Sequence, residues 1–453
     1  VNSSHTRSEA PDSATHLKKT LTTPLLYFFI LGDVLGAGVY VLVGEVAGES
    51  GGAVWAPLLA ALCLALLTAA SYAELATKYP RAGGASHYAT LAYGPFTGFI
   101  AGYCMLTAGI VSVAALARGF AGDYLTEFVA LPVALVAVVF LTALALLNAR
   151  GIRESTRANV LATLVEVGGL VLVVVLGAWI ILRGDADLGR LTELGTPSEG
   201  PAGAVLSGAV LAYYSFVGFE TSVNVAEETL DPRRSYPRAL FGALLTAGAV
   251  YVLVGVAAAA AVPTDVLTES GGPLLEVVKA AGGVPTGLFS VIALIAVANG
   301  ALLTGIMSSR LAYGMARDGL LPRYLTRVLP GRRTPVAAVV TTTVLSLALA
   351  LTGDVATLAS TLVLLLLVVF FLVNTAAIVL RGDGGGARGH FRVPVLVPVL
   401  GAASCVMLAT QIDADVWLRG LIVLAVGVVL AAIAAVRKRR AAGRPAPDAR
   451  DRS

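Results

Sequence analysis

The chain has 453 residues, of which 57% are hydrophobic and 13% charged, and its formal net charge is +4. A soluble domain carries about 25% charged residues, so this composition excludes a chain wetted over most of its surface and makes lipid the solvent. Long apolar runs stand where an outer-membrane barrel needs short alternating strands. The basic residues are dispersed between those runs, a pattern of topology rather than a nucleic-acid footprint.

In chain order, Val1 to Thr20 comes first. It carries His5, Arg7, Glu9 and Asp12 and lacks the apolar core and small-residue cleavage site of a signal peptide, so 1–20 reads as a retained cytoplasmic tail. Hydropathy bounded by charges then predicts an all-α polytopic protein of about twelve spans: 22–46, 53–76, 95–122, 130–148, 158–182, 203–225, 238–262, 286–314, 335–352, 357–380, 395–412 and 416–436. The tenth contains Leu362 to Leu380, 19 residues without a charge, against roughly 20 needed to cross hydrocarbon.

Basic residues gather in every second connection. They are Lys18 and Lys19; Lys78 and Arg81; Arg150, Arg153 and Arg157; Arg233, Arg234 and Arg238; Arg317 through Arg333; and Arg381, Arg388 and Arg392. Arg437 to Arg440 close the series and make 437–453 a basic tail. The positive-inside bias makes these faces cytoplasmic, which places both termini in the cytoplasm of a multi-pass inner-membrane protein.

The first span contains Gly32-Asp33-Val34-Leu35-Gly36-Ala37-Gly38-Val39-Tyr40. Glycine inside a helix costs roughly 1 kcal/mol relative to alanine, so this stretch is permissive for a local break, although membrane glycines also serve as plain contact surfaces. The sixth span contains Tyr213-Tyr214-Ser215-Phe216-Val217-Gly218-Phe219-Glu220. Interrupted helices at matching places in two halves point to the central site of an inverted-repeat transporter. Unwound amides attract an anion and unwound carbonyls a cation, while neighbouring helices shield them from lipid. A zwitterionic amino acid suits that arrangement. Glu220 is a gate, a cation ligand, a pairing group or a structural hydrogen-bond acceptor, because a lipid-facing carboxylate is costly. Asp33 lies nearer the cytoplasmic entry and is the weaker candidate.

Cys63, Cys104 and Cys405 sit in apolar stretches without metal or redox spacing and read as core packing. The four histidines, His5, His16, His87 and His390, fall in the tail or in connections and form no motif with a nucleophile. The chain therefore reads as no enzyme and as needing no cofactor, nucleic acid or obligatory protein partner. An embedded acyl-transfer enzyme, a channel and an amino-acid sensor are the competing classes.

On these motifs the chain resembles the amino acid, polyamine and organocation transporter superfamily, especially its bacterial and cationic amino acid transporter-like permeases, from about Leu21 to Arg437. The glycine-rich stretch is similar to the family's break, with Tyr40 where an aromatic Phe is usual. Further matches are Tyr214 to Glu220 continuing to Ala226-Glu227-Glu228-Thr229-Leu230-Asp231-Pro232 and Tyr236-Pro237-Arg238, then Arg310 with Met315 to Pro322, and the late Phe391-Arg392-Val393-Pro394.

The resemblance implies a five-plus-five inverted-repeat core, with repeats at 21–182 and 203–380, broken helices one and six, and two additional spans in 395–436. It implies that amides of Gly36, Ala37 and Gly38 receive a substrate carboxylate and that carbonyls near Tyr214, Ser215 and Val217 receive its amine. Phe216 and Phe219, with Glu220, become gate or pocket residues. Glu227, Glu228, Arg233 and Arg234 form either a solvated loop or a cytoplasmic gate. Related proton-linked members often carry lysine where Glu166 stands, so a lysine-based mechanism does not transfer. Glu166 is left as a proton carrier, as a sodium ligand with Asn299 and Thr304, or as a structural acid. The function implied is secondary transport or exchange of a small amino acid, with a co-transported proton or sodium, and with another organic cation or a polyamine as the alternative cargo.

Overall fold

The computed structural model describes residues 21–80, 83–150, 155–195, 200–329, 334–383 and 389–442. The tail at 1–20, Arg81, Arg153, Arg333, Arg388 and the chain from 443 onward lie outside the described residues, as do the side chains of Arg157 and of Arg437 to Arg440. Among the described residues the regular structure is helical, apart from one isolated parallel bridge between Leu21 and Thr229.

The first half runs α1 (Thr23–Val34), α2 (Gly38–Ser50), α3 (Trp55–Lys78), α4 (Gly84–Tyr93), α5 (Pro95–Phe120), α6 (Asp123–Thr126), α7 (Val133–Arg150) and α8 (Ser155–Arg183). The second runs α9 (Pro201–Tyr214), a 3-10 segment (Phe219–Glu228), α10 (Pro232–Ala261), α11 (Thr264–Glu269), α12 (Pro273–Ala281) and α13 (Thr286–Arg317). It ends with α14 (Val336–Thr352), α15 (Val355–Val379), α16 (Leu396–Ala409) and α17 (Ala414–Ala442). Proline opens α5, α9, α10 and α12, where its missing donor leaves no bond unmade and its fixed φ already suits the helix. At α15 the Asp354 carboxylate accepts from Thr357 N at 2.8 Å, meeting an amide the helix itself leaves open.

Among the described residues, eight helices are long and apolar enough to cross a membrane, or up to ten spans result if each of two bent pairs counts as one. The bent pairs are α1 with α2, at 49°, and α9 with the 3-10 segment, at 41°. Two shorter apolar helices, α14 with 17 residues and α16 with 14, stand beside them. This is an all-α polytopic membrane protein. Its packing centre is α5, which lies against α4, α13, α14 and α15.

Three features differ from the sequence expectation. The connection after α3 contains α4, and the one after α10 contains α11 and α12. These helices are too short to register as spans, and α12 folds because Leu274, Leu275, Val277, Val278 and Ala281 are buried while the Lys279–Glu276 pair, at 2.8 Å, stays outside. Cys63 is exposed, whereas Cys104 and Cys405 are buried. An apolar residue needs no protein neighbour on a face that lipid solvates, so the core reading fails at Cys63.

The late Phe391–Pro394 motif also acquires a structural reason. Glu74 near the end of α3 pairs with Arg381 at 2.7 Å, their side chains 1% and 10% exposed. The same carboxylate accepts from Val393 N at 3.1 Å, and Arg381 donates to Val393 O at 2.7 Å. Phe391 N donates to Thr77 Oγ1 at 3.1 Å. A strap before α16 is thereby pinned across the ends of α3 and α15.

Candidate functional site

The first helix stops because its chain direction changes at Leu35, which has φ −70° and ψ 73°. Tyr251 of α10 occupies the corner. Its hydroxyl donates to Val34 O at 2.5 Å and accepts from Gly36 N at 3.2 Å. The early amides of α2 have no carbonyl one turn before them to meet, so the restart at Gly38 presents donors without intrahelical partners. Gly38 lets the two pairs approach closely: a Cβ there would lie 3.0 Å from both Ser215 Cα and Tyr214 Cδ1, so a larger residue would press on its neighbours. The two bent pairs touch at this point.

The second corner is built differently. After Tyr214 the chain tightens into successive i to i−3 bonds, with Ser215 N, Phe216 N and Val217 N donating to the carbonyls of Ala212, Tyr213 and Tyr214 at 3.0–3.1 Å. Gly218 then takes φ +130°, a value that side chains rarely permit, and a Cβ on it would meet Asp33 O at 2.6 Å. Glu220 turns back so that its Oε2 accepts from Gly218 N at 2.9 Å. Thr221 Oγ1 hydrogen-bonds the Asp33 carboxylate, tying the second corner to the end of α1.

Both corners face one cavity of about 530 Å³. Gly36, Ala37, Gly38, Tyr214, Ser215, Val217, Glu220 and Thr304 all line it, together with Asp33, which the sequence reading ranked lower. Ser112 of α5 completes one wall through a 2.9 Å hydrogen bond to Tyr214 Oη. Around them stand small residues from α5 and α13, namely Gly102, Ala108, Gly109 and Gly300. The charged lining residues are Asp33, Glu220 and Arg310. At the end marked by Gly83, Asn224 and Arg310 the lining is exposed, and this is the end of α13 that leads toward the basic Arg317 connection.

Two of the named aromatics do not line the cavity. Phe216 is fully buried and meets Tyr251 edge-on, with ring centroids 5.4 Å apart. Phe219 is fully buried behind the corner, stacked on Phe370 at 5.5 Å. They support the corners from outside.

The ion-coupling set is divided. Glu166 on α8 is 1% exposed, lies beside Asn299 of α13, and keeps its Oε1 without a partner. Neither residue lines the cavity, while Thr304 does. Thr304 follows Asn299 by five residues, about 500° around a helix, so the two side chains leave α13 on different faces. Tyr40, the departure from the usual Phe, donates to Glu166 O at 2.6 Å, and Tyr124 donates to Tyr40 O at 2.7 Å. The extra hydroxyl thus fastens α2 to α8. Among the described residues, no group of three or more His, Cys, Asp or Glu could hold a metal ion.

Sequence reasoning missed Tyr251, Thr221, Ser112 and the start of α4. Tyr251 carries no local signal, since one tyrosine in an apolar span looks like any other until the fold brings it to the corner. Thr221 stood one position beyond the stretch that the glycine and the acid drew attention to.

A bundle of bilayer-length helices around a cavity between two bent helix pairs is the architecture of a membrane transporter. The chain belongs to the amino acid permease family, whose model matches residues 21–437. It is 30% identical over 382 residues to cationic amino acid transporter 3, mitochondrial, of Arabidopsis thaliana, covering 79% of this chain and 61% of the plant protein. It is 32% identical over 417 residues to an uncharacterized transporter of Mycobacterium bovis, covering 91% and 90% of the two chains. The methylthioribose transporter of Bacillus subtilis is 26% identical over 447 residues, covering 93% and 94%.

Proposed function

We propose that the protein carries small amino acids across the inner membrane by alternating access, as a secondary transporter or exchanger. The observation that carries this reading is the convergence of two helix interruptions on one cavity, with main chain from both in its lining. Amides of Gly36, Ala37 and Gly38 receive the substrate carboxylate. Carbonyls at Tyr214, Ser215 and Val217 receive its amine, the Tyr214 carbonyl using its second lone pair because Val217 N already occupies the first at 3.1 Å. Glu220 gates the cavity, and Phe216 and Phe219 brace the gate. The plant and Bacillus relatives are named for cationic amino acids and methylthioribose.

In this reading α14 and α16 also cross the bilayer, which gives twelve spans. Repeats at 21–182 and 203–380 form the core, and 395–436 adds two spans. The basic connections face the cytoplasm with both termini, so the cavity end at Asn224 and Arg310 opens inward. The experiment is counterflow in proteoliposomes with a panel of the twenty amino acids. Trans substrate is expected to accelerate labelled entry of at least one of them. Linear, non-saturating flux would indicate a channel, and binding without flux a sensor.

Glu166 is the proposed coupling group, a buried acid that takes up and releases a proton as the site alternates. Glu166→Gln should abolish substrate-driven proton movement; proton flux that persists with uptake in this variant rejects the role. Sodium is the second reading, favoured by the unpartnered carboxylate oxygen beside Asn299. It requires saturable sodium stimulation of wild-type uptake at clamped potential.

A further inference from the structure

The proposed coupling acid and the proposed substrate cavity are separate. Glu166 on α8 is buried and does not line the cavity, whereas Gly36, Ala37 and Gly38 do. Coupling means that binding at one changes the other, and packed side chains and hydrogen bonds between helices are its physical carriers. The helices that pack along α8 are chiefly α10, α12 and α13, and α2 is not among its principal neighbours. A direct bond from α2 to α8 is supplied by the side chain of Tyr40.

Tyr40 follows Gly38 by two residues, about 3 Å along the axis of α2, so a displacement of the substrate-binding turn displaces its ring. The residue is fully buried, and its hydroxyl donates to Glu166 O at 2.6 Å. The surface of α8 is shaped to admit that hydroxyl. A Cβ on Gly169 would run into Tyr40 Oη and Ile292 Cγ2, so glycine leaves a notch that a side chain would fill. Gly168 stands beside it. Each glycine costs a helix roughly 1 kcal/mol relative to alanine, which makes α8 weakest just beyond the carbonyl that Tyr40 holds. Tyr40 O in turn accepts from Tyr124 Oη at 2.7 Å, and the Phe289 ring lies 6.2 Å from the Tyr40 ring and 6.3 Å from that of Tyr124. The tyrosine is thus held by its main chain, its ring and its hydroxyl.

We infer that Tyr40 is a positioning residue that passes movement of α2 to Glu166. When substrate draws on the amides that open α2, the hydroxyl pulls on the carbonyl of the acid's own residue, and the glycine pair lets α8 yield there. The Glu166 side chain then shifts against Asn299, between the buried setting of this structure and one in which it exchanges its proton. Tyr40 from α2, Tyr251 from α10 and Asn299 from α13 are the groups that face the acid. On α12, Lys279 and Glu276 pair with each other at 2.8 Å. Tyr251 engages Val34 O and Gly36 N, so the bond from the first bent pair onto α8 belongs to Tyr40. This inference rests on Glu166 as the coupling group and deepens that reading by naming the residue that links the acid to the substrate.

Tyr40→Phe removes the hydroxyl alone, and the Glu166 carbonyl keeps the amide four residues on in α8, so the variant is expected to melt close to wild type. The full chain is reconstituted with the amino acid that the counterflow panel selects and is read two ways. Counterflow should stay within about twofold of wild type while protons moved per substrate fall at least about fivefold, the low end of a typical coupling. Tyr124→Phe deletes an equally buried tyrosine hydroxyl that bonds α2 and not α8, and it should keep the wild-type ratio. The second reading is modification of Glu166 by dicyclohexylcarbodiimide, with Glu166→Gln as the blank. Substrate should change its rate about fivefold in wild type and leave it unchanged in Tyr40→Phe. An unchanged proton ratio in Tyr40→Phe, an equal fall in Tyr124→Phe, or counterflow lost in step with melting temperature overturns the inference. A wild type that exchanges amino acid without moving protons rejects the proton reading. The carbodiimide result then decides, and a substrate effect that is equal in both proteins or absent from both overturns the inference. If the wild type exchanges none of the twenty amino acids, the transport reading falls and this inference falls with it.

Discussion

The two bent helix pairs turn the chain by different means. At the first, a 12-residue α-helix gives way to a 13-residue one, and Tyr251 from α10 braces the corner between them. At the second, a 14-residue α-helix gives way to ten residues of 3-10 helix through a glycine at φ +130°. The first is a bend between two stiff arms, whereas the second joins a stiff arm to a soft one. The Asp33–Thr221 hydrogen bond and the close approach of Gly218 to Asp33 O join the two.

Glycine substitutions should separate the corners most sharply. Gly218→Ala must abandon its φ and displace Asp33 O, so it should cost about 3 kcal/mol, the upper end for strained backbone, read as a large drop in melting temperature in detergent. A melting temperature at the wild-type value would show that the second corner is less fixed than the structure implies. Removing the brace comes next. Tyr251→Phe leaves Val34 O without its donor and should cost about 1–2 kcal/mol, while loosening α2 relative to α1 and raising hydrogen exchange at Gly36 to Gly38. If protection there stays the same, the corner holds without Tyr251. The smallest effect belongs to Gly36→Ala. Its Cβ would meet only Asp33 O and Val34 O, each at the ordinary distance of 3.8 Å, so stability should stay within about 0.5 kcal/mol. A large loss would mean that the first corner also needs glycine freedom.

Much of this organisation is legible in the sequence because it depends on local composition. Apolar runs mark the helices, and the helix ends at Val34 and Tyr214 fall inside the glycine and aromatic stretches that stood out. What stayed hidden depends on distant partners. Tyr251 matters only because α10 lies across the corner at Val34. Asn299 and Thr304 looked equivalent on one span, yet the helical turn directs one to Glu166 and the other to the cavity. The connections hid α4, α11 and α12, since a helix of six to ten residues has neither the length of a span nor enough turns for a clear period. Cys63 was misplaced because apolarity does not distinguish a protein neighbour from lipid.

The strap at Val393 bears on how the chain is made. Glu74 and Arg381 are separated by 307 positions, so the ribosome completes α3 long before it reaches the guanidinium that will neutralise it. At about 5–20 residues per second the acid waits on the order of 15–60 s. During that interval the Glu74 carboxylate is without its guanidinium, and water or a proton has to meet its charge. A chain cut short before Arg381 would leave that carboxylate without the partner that lets it be buried.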